Sequence, residues 1–226
     1  MRVGDSRIGW VNRSLKVEWT LAFHTTVSAI ATAPFGNVVA VSLEDQSTHI
    51  FDTRQQSVAE FTTARPLRHL HFVSTRPRLI GSADSGVLCS HSLNGEEQWV
   101  ERNWTNIGGL AVSGNGRAIL LAAFNHGIQC FNTRGVSQGF YDLDGTVSHV
   151  AISYIGTIIA ASTVEGQLFL LDVDGKILWQ ATCPDTVAGL ICGPFGERIL
   201  VGFESGLVQQ LRWAPWRQLS APASSS

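Results

Sequence analysis

An all-β fold made of repeated small sheets is predicted by three observations on the 226-residue sequence. Short apolar segments alternate with turns that contain glycine. Aligned segments recur every 40 residues. No apolar period of 3.6 residues persists through three helical turns. Because a helix needs that longer period, the pattern predicts strands of about five residues and few helices.

The repeat becomes visible when the chain is written in rows of equal length, which start at Val27, Leu67, Ile107, Val147 and Val187. Each row opens on a strand that contains many small residues. A glycine column follows at Gly36, Gly116, Gly156 and Gly196, with Arg76 in the second row. An apolar strand comes next, because the following segments read VVAVS, RLIGS, AILLA, IIAAS and RILVG. The rows therefore contain repeated strands that are separated by turns.

The second half of each row completes the unit. A second glycine follows about ten residues after the first, at Gly86, Gly127, Gly166 and Gly206, with Ser47 in the first row. A third glycine column lies at Gly95, Gly135 and Gly175, and a tryptophan column follows at Trp99 and Trp179. Since glycine adopts positive φ without strain, these columns predict turns, and each row holds three or four strands.

One such sheet is apolar on both faces and is not stable alone. Stacking the sheets face to face around an axis buries both faces, and small residues suit the innermost strands, which crowd together. We therefore predict a single β-propeller over residues 1–213, with five blades of four antiparallel strands that start near residues 27, 67, 107, 147 and 187. A Pro/Ala/Ser-rich tail follows at residues 214–226.

The rows resemble WD40-type and PQQ-type propeller repeats, in which an apolar strand, a glycine turn and a closing Phe-Asp, Gly and Trp follow one another. The segment Val147–Trp179 shows this order, and the resemblance covers about residues 8–213. It implies the fold and leaves the function open, because unrelated functions share a fold. The chain lacks the Gly-His and Trp-Asp dipeptides of WD40 repeats, so the hydrogen-bond tetrad of that family is not carried over.

The N-terminus bears on closure of the ring. Trp19 falls in the tryptophan column, so residues 8–21 read as the last two strands of a blade. We expect the strand around Leu15–Leu21 to be the outer strand of the fifth blade, which closes a five-bladed ring. The alternative is an incomplete sixth blade made of residues 8–21, whose exposed edges a partner strand would complete.

Composition excludes several classes of partner. Sixteen basic and eighteen acidic residues give a net charge of −2, and no basic stripe is present, so we predict no nucleic-acid partner. No apolar run reaches the ~20 residues that span a bilayer. The first residues lack the features of a signal peptide, and the four cysteines form no CxxC pair, so we expect a cytoplasmic protein with reduced thiols.

Catalytic residues are not recognisable. The inner strands, read as residues 27–33, 67–73, 107–113, 147–153 and 187–193, contain no Asp or Glu. Hydrolysis by a carboxylate pair needs two acids about 5–9 Å apart, and the acids here lie in turns. The sequence also has no glycine loop followed by lysine to hold phosphate. The calcium ligands that the resemblance to quinone-dependent propellers would imply are missing as well. We predict no enzymatic activity and no cofactor.

Three histidines lie on predicted inner strands: His69, His71 and His149. His69 and His149 share a column, so two readings stay open. They fill a narrow axis as hydrogen-bonded polar groups, or they approach one another and bind a metal ion. Polar filling is favoured, so we predict no metal site.

Tryptophans outside the repeat column suggest binding at the chain ends. Trp10, Trp213, Trp216 and Arg217 lie near the junction of residues 7–21 with residues 207–217, and Trp and Arg are frequent anchors of protein interfaces. Packing of Trp213 and Trp216 on the fifth blade is equally compatible. Aromatic residues at a membrane interface are a third option.

These residues favour a non-catalytic protein-binding scaffold, an accessory or peripheral subunit of a larger complex, with a membrane complex as one option. The alternative is a small-ligand or glycan-binding propeller, which would need the same pocket residues in every row. The turns LEDQST, SADSGV, AFNHGI, TVEGQL and FESGLV share no aromatic-plus-amide set. A propeller enzyme ranks third.

Overall fold

The computed structural model describes residues 1–102 and 105–212. Within these ranges the regular secondary structure consists of β-strands, with no helix. The chain begins with a two-stranded antiparallel hairpin of β1 (Arg7–Val11) and β2 (Val17–Ala22). No helix long and apolar enough to cross a membrane occurs in the described ranges.

Four complete blades follow, each a sheet of four consecutive antiparallel strands. Blade 1 contains β3 (Val27–Thr32), β4 (Val38–Leu43), β5 (Ser47–Asp52) and β6 (Ser57–Thr62). Blade 2 contains β7 (His69–Phe72), β8 (Arg78–Ala83), β9 (Val87–Ser92) and β10 (Glu97–Arg102). Blade 3 contains β11 (Gly109–Val112), β12 (Ile119–Ala122), β13 (Ile128–Phe131) and β14 (Ser137–Tyr141). Blade 4 contains β15 (Val147–Ile152), β16 (Ile158–Thr163), β17 (Gln167–Asp172) and β18 (Ile177–Thr182).

Blade 5 has three strands among the described residues. These are β19 (Val187–Cys192), β20 (Arg198–Phe203) and β21 (Val208–Arg212). The predicted blade starts agree with the first residues of β3, β15 and β19, and lie two residues before β7 and β11. The 40-residue repeat therefore corresponds to one sheet.

The hydrophobic core lies between consecutive blades. Ala40 and Ile50 of blade 1 pack with Phe72 and Leu79 of blade 2, and the same relationship joins each of the next blades to its successor. The second strand of a complete blade is apolar on both faces for this reason, and all six residues of β4 and of β16 are buried. Burial of each Val, Leu or Ile contributes about 1.5–3 kcal/mol, so these interfaces hold the stack together.

Small residues let the inner strands approach. A Cβ added to Gly108, just before β11, would lie 2.4 Å from the carbonyl oxygen of Ser148 in blade 4. That distance is too short for any side chain, so the close approach of the two blades requires glycine at this position.

The turn from the third to the fourth strand is built by side-chain acceptors. Oδ1 of Asp52 accepts hydrogen bonds from the backbone N–H groups of Arg54 and Gln56, both at 2.8 Å. Asn12, Asn132 and Asp172 accept the corresponding pairs, and Ser92 accepts one such bond. The residue three positions after the acceptor has positive φ in every case, at Leu15, Gln55, Gly95, Gly135 and Gly175.

The predicted closure of the ring by the N-terminal strand is not confirmed. β2 pairs with β1, with Trp10 opposite Trp19, whereas among the described residues β21 pairs only with β20. The predicted strand also starts too early, since Leu15 lies in the turn with φ of 60°. The pairing of β1 with β2 is the one expected for two consecutive strands of a blade, and its cause is local, because the Asn12 side chain caps the tight turn between them.

The N-terminal hairpin has the arrangement of the outer part of an incomplete sixth blade. Its Ile8, Trp10 and Trp19 pack against Val39 and Val41 of blade 1, as one blade packs on the next. On the other side of β1, the N–H of Gly9 donates to the carbonyl oxygen of Met1 at 2.8 Å. The described residues therefore match the alternative reading of the sequence in this respect.

Candidate functional site

One side of the stack is formed by the turns that join the first and second strands of each blade. A glycine with positive φ shapes four of these turns, for example Gly36 at 63° and Gly196 at 76°. Neighbouring turns bond to each other: the N–H of Gly114 donates to the carbonyl oxygen of Tyr154 at 2.8 Å, and that of Ile155 to Pro194 at 3.1 Å. These bonds fix the turns of blades 3, 4 and 5 relative to one another.

Large apolar side chains project from these turns into solvent. Phe35 is 86% exposed, Phe195 is 60% exposed, and Tyr154 and Ile155 are about half exposed. We call these four residues the apolar rim. Phe35, Ile155 and Phe195 occupy one column of the repeat, where blades 2 and 3 carry Thr75 and Asn115. Neighbouring exposed apolar residues of this kind are typical of interaction surfaces.

The rim lies beside a central cavity of about 340 Å³ to which all five inner strands contribute. One residue from each blade illustrates this: Thr32, His71, Val112, Ile152 and Cys192. Each exposed residue of the shared column directly follows a residue that lines the cavity, namely Pro34, Tyr154 or Pro194. The rim and the cavity therefore form one continuous surface.

The cavity lining is uncharged at neutral pH. No Asp, Glu, Lys or Arg lines the cavity in the described part of the chain. Burial lowers the pKa of His71 below 6.5, so its imidazole is neutral at pH 7. Burial, helped by the negative charge of Glu197, raises the pKa of Cys192 to about 12, so it is a thiol. An uncharged, largely apolar cavity suits an apolar group rather than a phosphate or a sugar.

The other two inner-strand histidines are partly buried, and serine hydroxyl groups contact one of them. Nδ1 of His149 lies 3.1 Å from Oγ of Ser148 and 3.3 Å from Oγ of Ser162, and burial lowers its pKa. Burial also lowers the pKa of His69, with the nearby His149 acting in the same direction. No group of three His, Cys, Asp or Glu side chains arranged for a metal ion is found in residues 1–102 and 105–212.

The acids of the turns act as structural acceptors. Glu165 accepts the N–H of Thr146 at 2.8 Å, and Asp185 accepts that of Ser205 at 2.9 Å. Hydrogen bonds lower the pKa of both carboxyl groups: the largest cause is the Thr146 N–H for Glu165, and Ser205 followed by the Thr186 N–H for Asp185. Such acids tie together the turns at the end of the stack opposite the rim.

The residues predicted to bind at the chain ends are only partly placed. Trp10 is half-buried and stacks on Trp19, with ring centroids 5.6 Å apart and planes 16° apart. It lines a cavity of about 310 Å³ between the hairpin and blade 1. Trp213, Trp216 and Arg217 lie outside the described residues, so their predicted role stays a prediction.

A second exposed surface lies on the last face of blade 5. Leu200 is 40% exposed and Val208 is 67% exposed. The residues in the same two columns of blades 1 to 4 are at most 4% exposed: Ala40, Ile80, Leu120 and Ala160 with Leu200, and Thr48, Leu88, Ile128 and Leu168 with Val208. The earlier residues are covered by the next blade. The repeat register identifies the two columns, but only the structure shows that their last members are exposed.

The fold and these two surfaces define the class of protein as a repeat β-propeller with exposed apolar surfaces. No protein-family model matches the chain, and no curated protein matches it. Among solved structures, the chain is similar to one in a crystal structure of the mitotic checkpoint complex, with a TM-score of 0.81 and 17% identity. The match covers 93% of this chain and 69% of the other. It confirms the predicted resemblance to WD40-type propellers at the level of fold.

Proposed function

We propose that the protein is a non-catalytic protein-binding scaffold that receives an apolar segment of a partner protein in the central cavity and on the apolar rim. The observation that carries this function is the continuity between the exposed rim and the uncharged cavity. Partner binding there would bury Phe35 and Phe195, the two phenylalanines of the rim.

The chemistry of the surface supports a protein partner. A cavity of about 340 Å³ has room for a large aliphatic or aromatic side chain, and burying one contributes about 1.5–3 kcal/mol. Aromatic anchors surrounded by weaker contacts are the usual source of affinity in protein interfaces. A nucleic acid would need cations, and the lining has none in the described residues.

A role as an accessory subunit of a larger complex agrees with the structural likeness. The similar chain occurs in a crystal structure of a multi-protein complex, and a rigid stack of blades offers several surfaces at once. Binding at the chain ends through Trp10, Trp213, Trp216 and Arg217 is kept as a further part of the proposal.

Selection of peptides from a displayed random library tests this function with a defined probe. We expect wild-type protein to enrich peptides with aromatic or aliphatic residues. These peptides should lose at least 10-fold in affinity for the double variant Phe35→Ser, Phe195→Ser. The matched control is Phe140→Ser, since Phe140 is also strongly exposed but lies on β14, away from the rim. Enriched peptides that bind the rim variant and the control equally would refute the rim as the binding site.

A further inference from the structure

We propose that the outer edge of β21 binds an extended strand of a partner polypeptide, which pairs with it as the fourth strand of blade 5. This second protein-binding site uses backbone hydrogen bonds at the last blade and is separate from the apolar rim.

The edge of β21 differs from its counterparts. In blades 1 to 4 the third strand pairs on both sides, with the second strand and with the fourth. In blade 5 no described strand lies on the outer side of β21. A strand edge of this kind presents a row of free backbone donors and acceptors and is a template for another strand.

The repeat identifies the backbone groups that face outward. In blade 1 the N–H of Asp52 donates to Gln56, and the carbonyl oxygen of Gln46 accepts from Thr63, so alternate residues of the third strand face the fourth. In blade 5 the carbonyl oxygen of Leu207 accepts a hydrogen bond from the N–H of Phe203 in β20, so Leu207 faces β20. Since strand residues alternate, Val208, Gln210 and Arg212 direct their N–H and C=O groups away from β20.

The sequence at the end of β21 departs from the turn pattern of the earlier repeats. The acceptor column of the earlier turns, with Asn12, Asp52, Ser92, Asn132 and Asp172, holds Arg212 in the last repeat. An arginine side chain has no hydrogen-bond acceptor. The column of positive φ holds Pro215, which lies beyond the described residues, and proline restricts φ to about −65°. The hydrogen-bond acceptor and the residue with positive φ, which shape the five earlier turns, are therefore both replaced in the sequence of the last repeat.

The fourth strands of the earlier blades indicate the residue pattern of a strand that would pair with β21. The fourth strands β10 and β18 carry a tryptophan in the same column, at Trp99 and Trp179, between polar or smaller residues. The exposed Leu200 and Val208 lie beside the open edge on one face of the sheet. An extended segment with alternating large apolar residues would satisfy the backbone of β21 and cover part of this face.

A synthetic peptide with the sequence of residues 176–182, KILWQAT, is a suitable probe because it copies the fourth strand of blade 4. We expect saturable binding to the full-length protein by fluorescence anisotropy. Binding should protect the amides of Val208, Gln210 and Arg212 from hydrogen exchange. A peptide with Ile177 and Trp179 replaced by serine should bind at least 10-fold more weakly. Absence of saturable binding by the wild type would overturn the proposal.

Two variants separate the edge from general effects on folding. Gln210→Pro removes one outward N–H without removing a bond to β20, and Gln210→Ala keeps that N–H. We expect at least a 10-fold loss of peptide affinity in Gln210→Pro, none in Gln210→Ala, and equal melting temperatures for the two. Equal affinity in both variants would contradict edge pairing. Should Gln210→Pro melt lower, the hydrogen-exchange map of the wild type with peptide decides the question alone.

Two other occupants of the edge give distinct results. If the outward amides of β21 are already protected in the monomer without peptide, the chain covers its own edge and the proposal is wrong. If light scattering shows a dimer that the peptide dissociates, the occupant is a second copy, and the proposal is also wrong. The double variant Phe35→Ser, Phe195→Ser should bind the peptide with wild-type affinity. A negative result for binding at the rim can therefore be distinguished from a negative result for strand pairing at β21.

Discussion

The indole N–H of Trp99 in blade 2 donates a hydrogen bond of 3.0 Å to the backbone carbonyl oxygen of Thr133 in blade 3. Trp19 of the hairpin makes the same bond, also of 3.0 Å, to Thr53 of blade 1. Both pairs are 34 residues apart in the chain. These two tryptophans therefore join the hairpin to blade 1, and blade 2 to blade 3, through the turn between the third and fourth strands of the following sheet.

Replacement of Trp99 by leucine should weaken this junction. The variant loses the hydrogen bond, worth about 0.5–1.5 kcal/mol, and part of the ring packing in the core between blades 2 and 3. We expect a total loss of about 2–3 kcal/mol in the free energy of unfolding, measured by urea denaturation. Trp19→Leu should behave similarly, and an unchanged urea midpoint in both would show that these tryptophans do not join the blades.

The turn under Trp99 requires glycine for two reasons. Gly135 has φ of 79°, and an added Cβ would lie 2.7 Å from the Trp99 ring. Gly135→Ala should therefore cost more than Gly166→Ala, because Gly166 has the same φ but open space around its Cβ position. We expect about 1 kcal/mol of backbone strain in both variants and a further 1–2 kcal/mol in Gly135→Ala alone. Equal decreases of the melting temperature in the two variants would mean that the indole ring of Trp99 moves aside without an energetic cost.

A matched pair of leucines tests whether the last face of blade 5 is open in solution. Leu120 and Leu200 occupy the same column, but Leu120 is covered by blade 4 and Leu200 is partly exposed. Leu120→Ala should cost about 2–5 kcal/mol in the free energy of unfolding, and Leu200→Ala under about 1 kcal/mol. A cost for Leu200→Ala as large as that for Leu120→Ala would show that another segment covers this face.

The buried histidines predict a loss of stability in acid. Burial lowers the pKa values of His71, His91 and His149, and burial is the largest of the causes that lower the pKa of His69. The unfolded chain then binds more protons than the folded one once the pH falls through about 6.5, so the free energy of unfolding decreases there. The decrease continues until the pH passes below the lowered folded-state values, where both states are protonated.

His71→Leu should flatten this pH dependence, because it removes one imidazole that the fold keeps neutral. Urea denaturation at pH 7.5 and at successively lower pH values measures the slope. The exposed His126→Leu serves as the control for removal of an imidazole. A slope in His71→Leu as steep as in the wild type would show that His71 is not among the groups responsible.

Much of the architecture could be predicted from residue patterns. The column of small and apolar residues located the strands β4 and β16, and the tryptophan column placed Trp19 and Trp99 at equivalent positions of different repeats. These features depend on local periodicity and on spacing within one repeat, both of which are readable along the chain. The absence of acids from the inner strands likewise needed no coordinates.

The binding surfaces could not be located in the same way. Phe35 and Phe195 are 160 positions apart in the sequence, and each looks like an ordinary turn residue. Only the stacking of blades brings their turns to one side of a common cavity. Sequence reasoning chose Trp10 and the C-terminal tryptophans instead, since it weighed residue type without knowing which faces the stack would cover.

The amino-acid sequence by itself determined the 40-residue sheet, its strands and its glycine turns, because these follow from local pattern and turn chemistry. Only the tertiary structure decided that the N-terminal hairpin packs against blade 1, and that no strand among the described residues pairs with the outer edge of β21. Which strands meet at the ends of a repeat array depends on contacts between distant segments, and the periodicity of the repeat does not encode them.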